Sequence, residues 1–224
     1  MTVASSSQVR SWGPGTAAVV RHLVAAERPL AGAAIARAVG VTQPRVSQVL
    51  RQLAMAGAVR ATADGYVGRR ARLMDLYARR ARPGRAGPDG FWYSTGALTD
   101  QARRISAVAP PGSMAFSADI GPDLLAPWRH PTLAIVYARE PFDLRPAGLV
   151  PAEGRGDASV MVRWTSDLTL LSPTLGWPSD VGGIPLTDPV QQWADLLELG
   201  GADRREAADR LRRAILDRTI GPAP

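Results

Sequence analysis

The stretch from Thr42 to Gly68, TQPRVSQVLRQLAMAGAVRATADGYVG, leaves few folds open. Threonine suits the position just before a helix, and Pro44 falls in the first turn, where its missing N–H costs little. Val46, Val49, Leu50 and Leu53 recur at the spacing of one buried helical face, and Gly57 ends the run. A helix is therefore expected from Gln43 to about Ala56. Two short alternating runs follow on either side of Asp64-Gly65, the pattern of a tight β-hairpin. Upstream, GTAAVVRHLVAAERP has helical spacing from Gly15, with Ala18, Val19, His22, Leu23 and Ala26 on one face and Pro29 at the end. Gly32 to Val39 reads as a second helix, and Gly40 supplies the turn before Val41 packs inward. Helix, helix, turn, helix, hairpin is the order of a winged helix-turn-helix. A helix from Arg70 to Ala81 is expected next, with Leu73, Leu76 and Tyr77 inward.

The third helix turns Gln43, Arg45, Ser47, Gln48, Arg51 and Gln52 outward, and none of them is acidic. A merely solvated face more often carries Glu four residues before Lys or Arg. Arginine bonds guanine bidentately and glutamine does the same to adenine, so this face suits the major groove. Together with Thr42 these residues form the expected DNA-reading set. Arg60 and Tyr66 beside the hairpin turn, and Arg69 and Arg70 after it, are the expected phosphate or minor-groove contacts.

Charge divides the chain. Residues 1–85 hold 14 arginines against three acids, a balance of +11, whereas residues 86–224 hold 13 arginines against 17 acids, a balance of −4. A basic first third on a mildly acidic remainder suggests a polyanion-binding module attached to something else. Arg79 to Gly90, RRARPGRAGPDG, has no buried-face periodicity and reads as a linker. The expected division is a winged helix-turn-helix DNA-binding domain over 1–78, a linker over 79–90 and a regulatory or partner-binding domain over 91–224, which serves a protein partner or an effector.

The remainder mixes strand and helix signals. Thr132 to Ala138 is a buried strand, Ala158 to Trp164 alternates as a half-buried one, and Leu168 to Leu171 is a short candidate strand. Asp119 to Leu125 is ambiguous. Asp188 caps a helix with Pro189 at its first position and Val190, Trp193, Leu196 and Leu197 inward. Gly200-Gly201 breaks it. Asp203 and Glu206 form a capping-box pattern for a last helix that buries Ala207, Leu211 and Ile215. The fold class expected is α+β: an N-terminal winged helix-turn-helix joined to a mixed α/β domain that ends in two helices.

Two resemblances rest on these residues. AAIARAVGVTQPRVSQVLRQLAMAGAVR resembles the core of MarR- and ArsR-type winged-helix regulators, over residues 30–68. The C-terminal part resembles the AbiEi family, antitoxins and regulators of type IV toxin-antitoxin systems. Phe116-Ser117-Ala118-Asp119-Ile120, then Pro127 and Thr132 to Tyr137, carry one part of the likeness. Met161-Val162-Arg163 with Asp167-Leu168, and Asp188-Pro189-Val190-Gln191-Gln192-Trp193-Ala194-Asp195-Leu196 leading to Gly200-Gly201 and Glu206-Ala207-Ala208, carry the rest. Ala118-Asp119 stands where that pattern has a small glycine, and Trp193 where it has tyrosine. The resemblance implies a repressor that binds double-stranded DNA and a cognate, nucleotidyltransferase-like toxin as protein partner.

Cysteine is absent, which removes disulfides and thiolate chemistry. Lysine is absent too, so there is no Walker-type lysine, Schiff base or Ser-Lys dyad. His22 and His130 are the two histidines, too few for a usual zinc site. Asp119, Asp123, Asp167, Asp188 and Asp195 are the carboxylates that a metal would need, but a nuclease of the D…E-x-K kind lacks its lysine. Ser117 and Ser172 lack a nucleophile-elbow setting. No catalytic residue, metal or cofactor is expected, and an enzyme fused to a DNA-binding domain is the least favoured alternative. Trp128 and Trp177, each beside prolines, are the candidate anchors for a protein partner. No apolar run approaches the ~20 residues of a membrane span, and a cytoplasmic protein is expected.

Overall fold

The computed structural model describes residues 11–81, 84, 86–125, 131–171, 177 and 179–220. Three helices open the chain: α1 (Pro14–Ala25), α2 (Gly32–Val39) and α3 (Gln43–Met55). A hairpin of β1 (Val59–Thr62) and β2 (Gly65–Gly68) follows, then α4 (Arg70–Arg80). Gly40, at φ 67, makes the left-handed turn after α2 that residues with a Cβ rarely adopt. The hairpin is widened by Leu30, whose N–H and carbonyl pair with those of Tyr66. Gly65 faces this crossing; a Cβ there would stand 2.6 Å from the Leu30 carbonyl oxygen.

The second half is built on a five-stranded sheet. Its strands are β3 (Gly90–Tyr93), β4 (Met114–Ala118), β5 (Ala134–Ala138), β6 (Val150–Pro151) and β7 (Val160–Trp164), in the order β4-β5-β7-β3-β6. Strands β5 and β7 are parallel and the other pairs antiparallel. The helix α5 (Leu98–Val108) covers one face through Leu98, Ala102 and Ile105. The short α6 (Ile120–Leu125) follows β4. A small hairpin of β8 (Asp180–Val181) and β9 (Ile184–Pro185) borders β4, and α7 (Pro189–Leu199) and α8 (Ala202–Asp217) close the chain. The fold is mixed α+β, with eight α-helices among the described residues.

Several local expectations change. Leu168–Leu170 is a 3-10 turn, because Asp167 accepts the Thr169 N–H and starts a turn in place of a strand. Leu197 points outward, while Leu199 takes the buried place. Asp188 caps α7 through the Val190 and Gln191 N–H groups, as expected, but α8 starts from Gly201 with no side-chain cap. Strand β3 and helix α5 were not anticipated from the sequence.

The core does not stop at the expected division of the chain. One continuous core contains Leu23, Leu50, Leu53, Leu73 and Tyr77 together with Val190, Trp193, Leu196, Leu211 and Ile215. Helices α7 and α8 therefore join the core of the N-terminal helices, and α7 also packs on β4, between those helices and the sheet region inserted before it. The expected linker is also seated: the Ala86 N–H donates to the Trp164 carbonyl, and the Ser166 N–H to the Gly84 carbonyl. Charge follows this division. Residues 1–85 with 186–224 hold 20 arginines against 10 acids, and residues 86–185 hold 7 against 10.

Candidate nucleic-acid interface

Helix α3 is held by its apolar stripe, with Val46, Val49, Leu50 and Leu53 all buried. That places Gln43, Arg45, Ser47, Gln48, Arg51 and Gln52 in solvent on the opposite side. Thr42 occupies the N-cap position in extended backbone but makes no side-chain cap, and the first turn carries no acid. An uncapped helix start without a carboxylate suits a phosphate, because N–H groups and the helix dipole favour an anion there. Arg45 is already oriented: it donates to Gln48 Oε1 at 2.7 Å and to the Thr16 hydroxyl of α1 at 3.0 Å. Arg51 leans back on the Ser47 carbonyl at 3.4 Å.

The hairpin contributes Arg60 and Arg69, both exposed. Two assignments around it need correction. Tyr66 is half-buried against the core and its backbone pairs with Leu30, so it builds the hairpin from within. Arg70 donates through Nε to the Val24 carbonyl and through Nη2 to the Ala26 carbonyl, both at 2.9 Å. Its guanidinium satisfies the carbonyls that end α1, which takes it out of the set free to meet phosphate. Arg218 reaches the same Ala26 carbonyl from the end of α8 at 2.9 Å and pairs with Glu27.

Behind this surface lies a buried polar cluster that the sequence did not reveal. Arg21, on α1, has no exposure. It pairs with Asp188 at 2.7 Å and Asp167 at 3.0 Å, and donates to the Tyr77 hydroxyl at 2.9 Å and to Thr169. Burial works against its charge, but these partners outweigh it and hold the guanidinium's pKa well up. Burial pushes the Tyr77 hydroxyl up as well. Tyr77 donates in turn to Gln191, whose amide reaches Tyr137 and Asp195. Asp195 also accepts from Ser117, Tyr137 and Arg163. Burial pushes Asp195 up to about 6, against the pull of Arg163, Ser117 and Tyr137. One chain of contacts thus runs from α1, behind the helices, into the centre of the sheet.

The carboxylates considered as metal ligands are dispersed among arginines. Asp167 and Asp188 hold Arg21, Asp195 holds Arg163, and Asp119 holds Arg204 at 2.8 Å. Burial opposes ionisation of Asp119, but Arg204 and the Thr132 and Leu133 N–H groups keep its pKa below the usual carboxylate range. The Asp123 side chain lies outside the described residues, and among the described residues no cluster of three or more His, Asp or Glu could hold a metal. Ser117 is fully buried against Asp195. Of the two tryptophan anchors, Trp177 is half-buried against the main core with its indole N–H enclosed, so it is a packing residue. Trp128 lies outside the described residues, as do His130 and Ser172.

No described helix is long and apolar enough to cross a membrane. No family model matches the chain, and no curated protein or solved structure matches it.

Proposed function

We propose that this protein is a sequence-specific regulator that binds double-stranded DNA through a winged helix-turn-helix. The observation that carries the reading is the exposed face of α3, which has glutamine, arginine and serine, no acid, and an uncapped start. Gln43, Arg45, Ser47 and Gln48 lie in the first two turns, the part of such a helix that reaches base edges. Arg51 sits one turn further on. Thr42 and the α3 N-terminus take a phosphate, and Arg60 and Arg69 take others beside the hairpin. The module's surplus of ten arginines supplies the attraction.

Selection from a random duplex library on the full chain tests this, and a single enriched motif is the expected result. Arg45→Ala should cost roughly 1–3 kcal/mol and relax the preference at one base pair of that motif. Failure to enrich any motif would remove sequence-specific binding.

A second reading makes the protein an antitoxin that also represses its own operon. The acidity of the inserted sheet region favours a protein partner there, since it would be repelled from the duplex. Expressing the adjacent gene with and without this chain separates the two readings. Relief of a growth defect supports the antitoxin, and a harmless neighbour leaves the plain regulator.

A further inference from the structure

Arg45 is an exposed side chain that the fold nevertheless holds in place. It lies in the first turn of α3, and the first turn of α1 comes up against it. The approach is close: a Cβ at Gly15 would stand 3.0 Å from Val41 Cγ1, one residue before Thr42. The next residue, Thr16, is 3 % exposed, and its N–H donates to the Gly13 carbonyl at 3.1 Å. Its side chain is therefore fixed by packing, and its hydroxyl oxygen accepts from Arg45 Nη2 at 3.0 Å. Arg45 Nη1 donates at 2.7 Å to Gln48 Oε1, three positions along the same helix face. Both holding groups are neutral. Between residues 11 and 63 the sequence has one acid, Glu27, and Arg218 pairs with it.

The chemistry of this pair decides what α3 presents. A guanidinium carries N–H groups and no acceptor, so Gln48 must turn its oxygen, not its nitrogen, towards Arg45. The amide NH2 of Gln48 then faces away from Arg45 and has no partner among the described residues. Reading adenine with glutamine takes both halves of the amide, the oxygen on N6–H and the nitrogen on N7. With Oε1 occupied by Arg45, only the NH2 remains to be given. Arg45 keeps further N–H groups beyond the two in use, and a guanine edge accepts at both O6 and N7. Arg45 and Gln48 thus form a row of donors at the part of the helix that reaches base edges.

We propose that Thr16 is a positioning residue for sequence reading: it holds Arg45, Arg45 holds Gln48, and the two exposed side chains read acceptors only. Arg45 then selects guanine. Gln48 selects guanine or thymine, whose O6 or O4 accepts from its NH2. It rejects cytosine, which offers N4–H, and adenine, whose N6–H stands beside its one acceptor, N7. This rests on the DNA-binding reading above, and it departs from the adenine contact that glutamine alone would suggest.

Selection from a random duplex library, run on the full chain and on its Arg45→Ala, Gln48→Ala, Thr16→Val and Thr16→Ser variants, tests this. The two alanine variants identify the base pairs that Arg45 and Gln48 read. At the Gln48 position the wild type should favour guanine or thymine over adenine by about fivefold or more. Valine keeps the branched shape of threonine without its hydroxyl. Thr16→Val should therefore relax the Arg45 position by about fivefold and leave positions outside the pair unchanged, while Thr16→Ser restores the wild-type preference. Adenine enriched at the Gln48 position, no position relaxed by Gln48→Ala, or a Thr16→Val motif identical to wild type would overturn the proposal and leave DNA binding standing. A uniform loss across the motif in Thr16→Val would also overturn it, by marking a structural role. So would equal weakening on every duplex by Arg45→Ala, which would make Arg45 a phosphate contact. A library that enriches no motif removes the DNA reading itself, and this proposal with it.

Discussion

Arg21 is the residue on which the arrangement turns. It is a charge with no exposure, set against a core of aliphatic and aromatic side chains. Removing one member of a buried ion pair leaves the other uncompensated, which costs about 3–5 kcal/mol. Arg21→Met should therefore lower stability by that amount in urea unfolding, and a loss below about 1 kcal/mol would show that Asp167 and Asp188 find other partners. Asp195 makes a second test, with pH. Its folded-state pKa, about 6, lies above the value near 3.9 of an unfolded chain. The folded state thus holds a proton that the unfolded state releases, so stability present near pH 4 is lost as pH rises through 6. The difference is on the order of 3 kcal/mol. His22 acts in the opposite sense, since burial lowers its pKa and favours the neutral form at higher pH. Comparing wild type with Asp195→Asn isolates the carboxylate: wild type should lose stability relative to the variant between pH 4.5 and 7.5. A constant difference across that range would contradict the assignment. Ala118 is informative in another way, because its φ of 62 is one that glycine adopts without strain.

At the scale of elements, the proposed DNA binding gives two neighbouring arginines different roles, phosphate contact and structural support. Arg69 is exposed before α4, whereas Arg70 closes the carbonyl end of α1. Arg69→Ala should weaken binding to all duplexes alike and make its salt dependence shallower, with no change in unfolding. Arg70→Ala should lower the unfolding midpoint, because the Val24 and Ala26 carbonyls lose a charged donor. The reverse pattern would show the roles exchanged. The elements themselves were legible where local signals agree. The stripe of α3, the Gly40 turn, the Asp64-Gly65 hairpin and the Asp188-Pro189 start of α7 all lie where their residues place them. Strand β3 was not, because Gly90–Tyr93 is short and follows a Pro/Gly-rich run. The Arg21 cluster was not either. Its partners are Tyr77, Asp167 and Asp188, 56 to 167 positions away, and no local pattern links them. Arg70 looked like its neighbours for the same reason: a guanidinium's partner is set by tertiary contact.

For the whole molecule, the two ends of the chain make one helical body and the sheet region is inserted into it. The Arg21 cluster and the Gln191–Asp195–Arg163 contacts are the polar seam between them. A cut at residue 85 would remove α7 and α8 from the core that holds α1 and α4, so the full chain is the proper object for binding experiments. The central claim is that the basic module meets the phosphates of a duplex. Its most direct test is the affinity of the full chain for duplex DNA, followed by fluorescence anisotropy as salt is raised from roughly 50 to 200 mM. Each phosphate neutralised contributes about −0.9 to the slope of log K against log salt. Arg60 and Arg69 at phosphates predict a slope of about −2 or steeper. A flat dependence, or no binding at the low-salt end, would contradict the account.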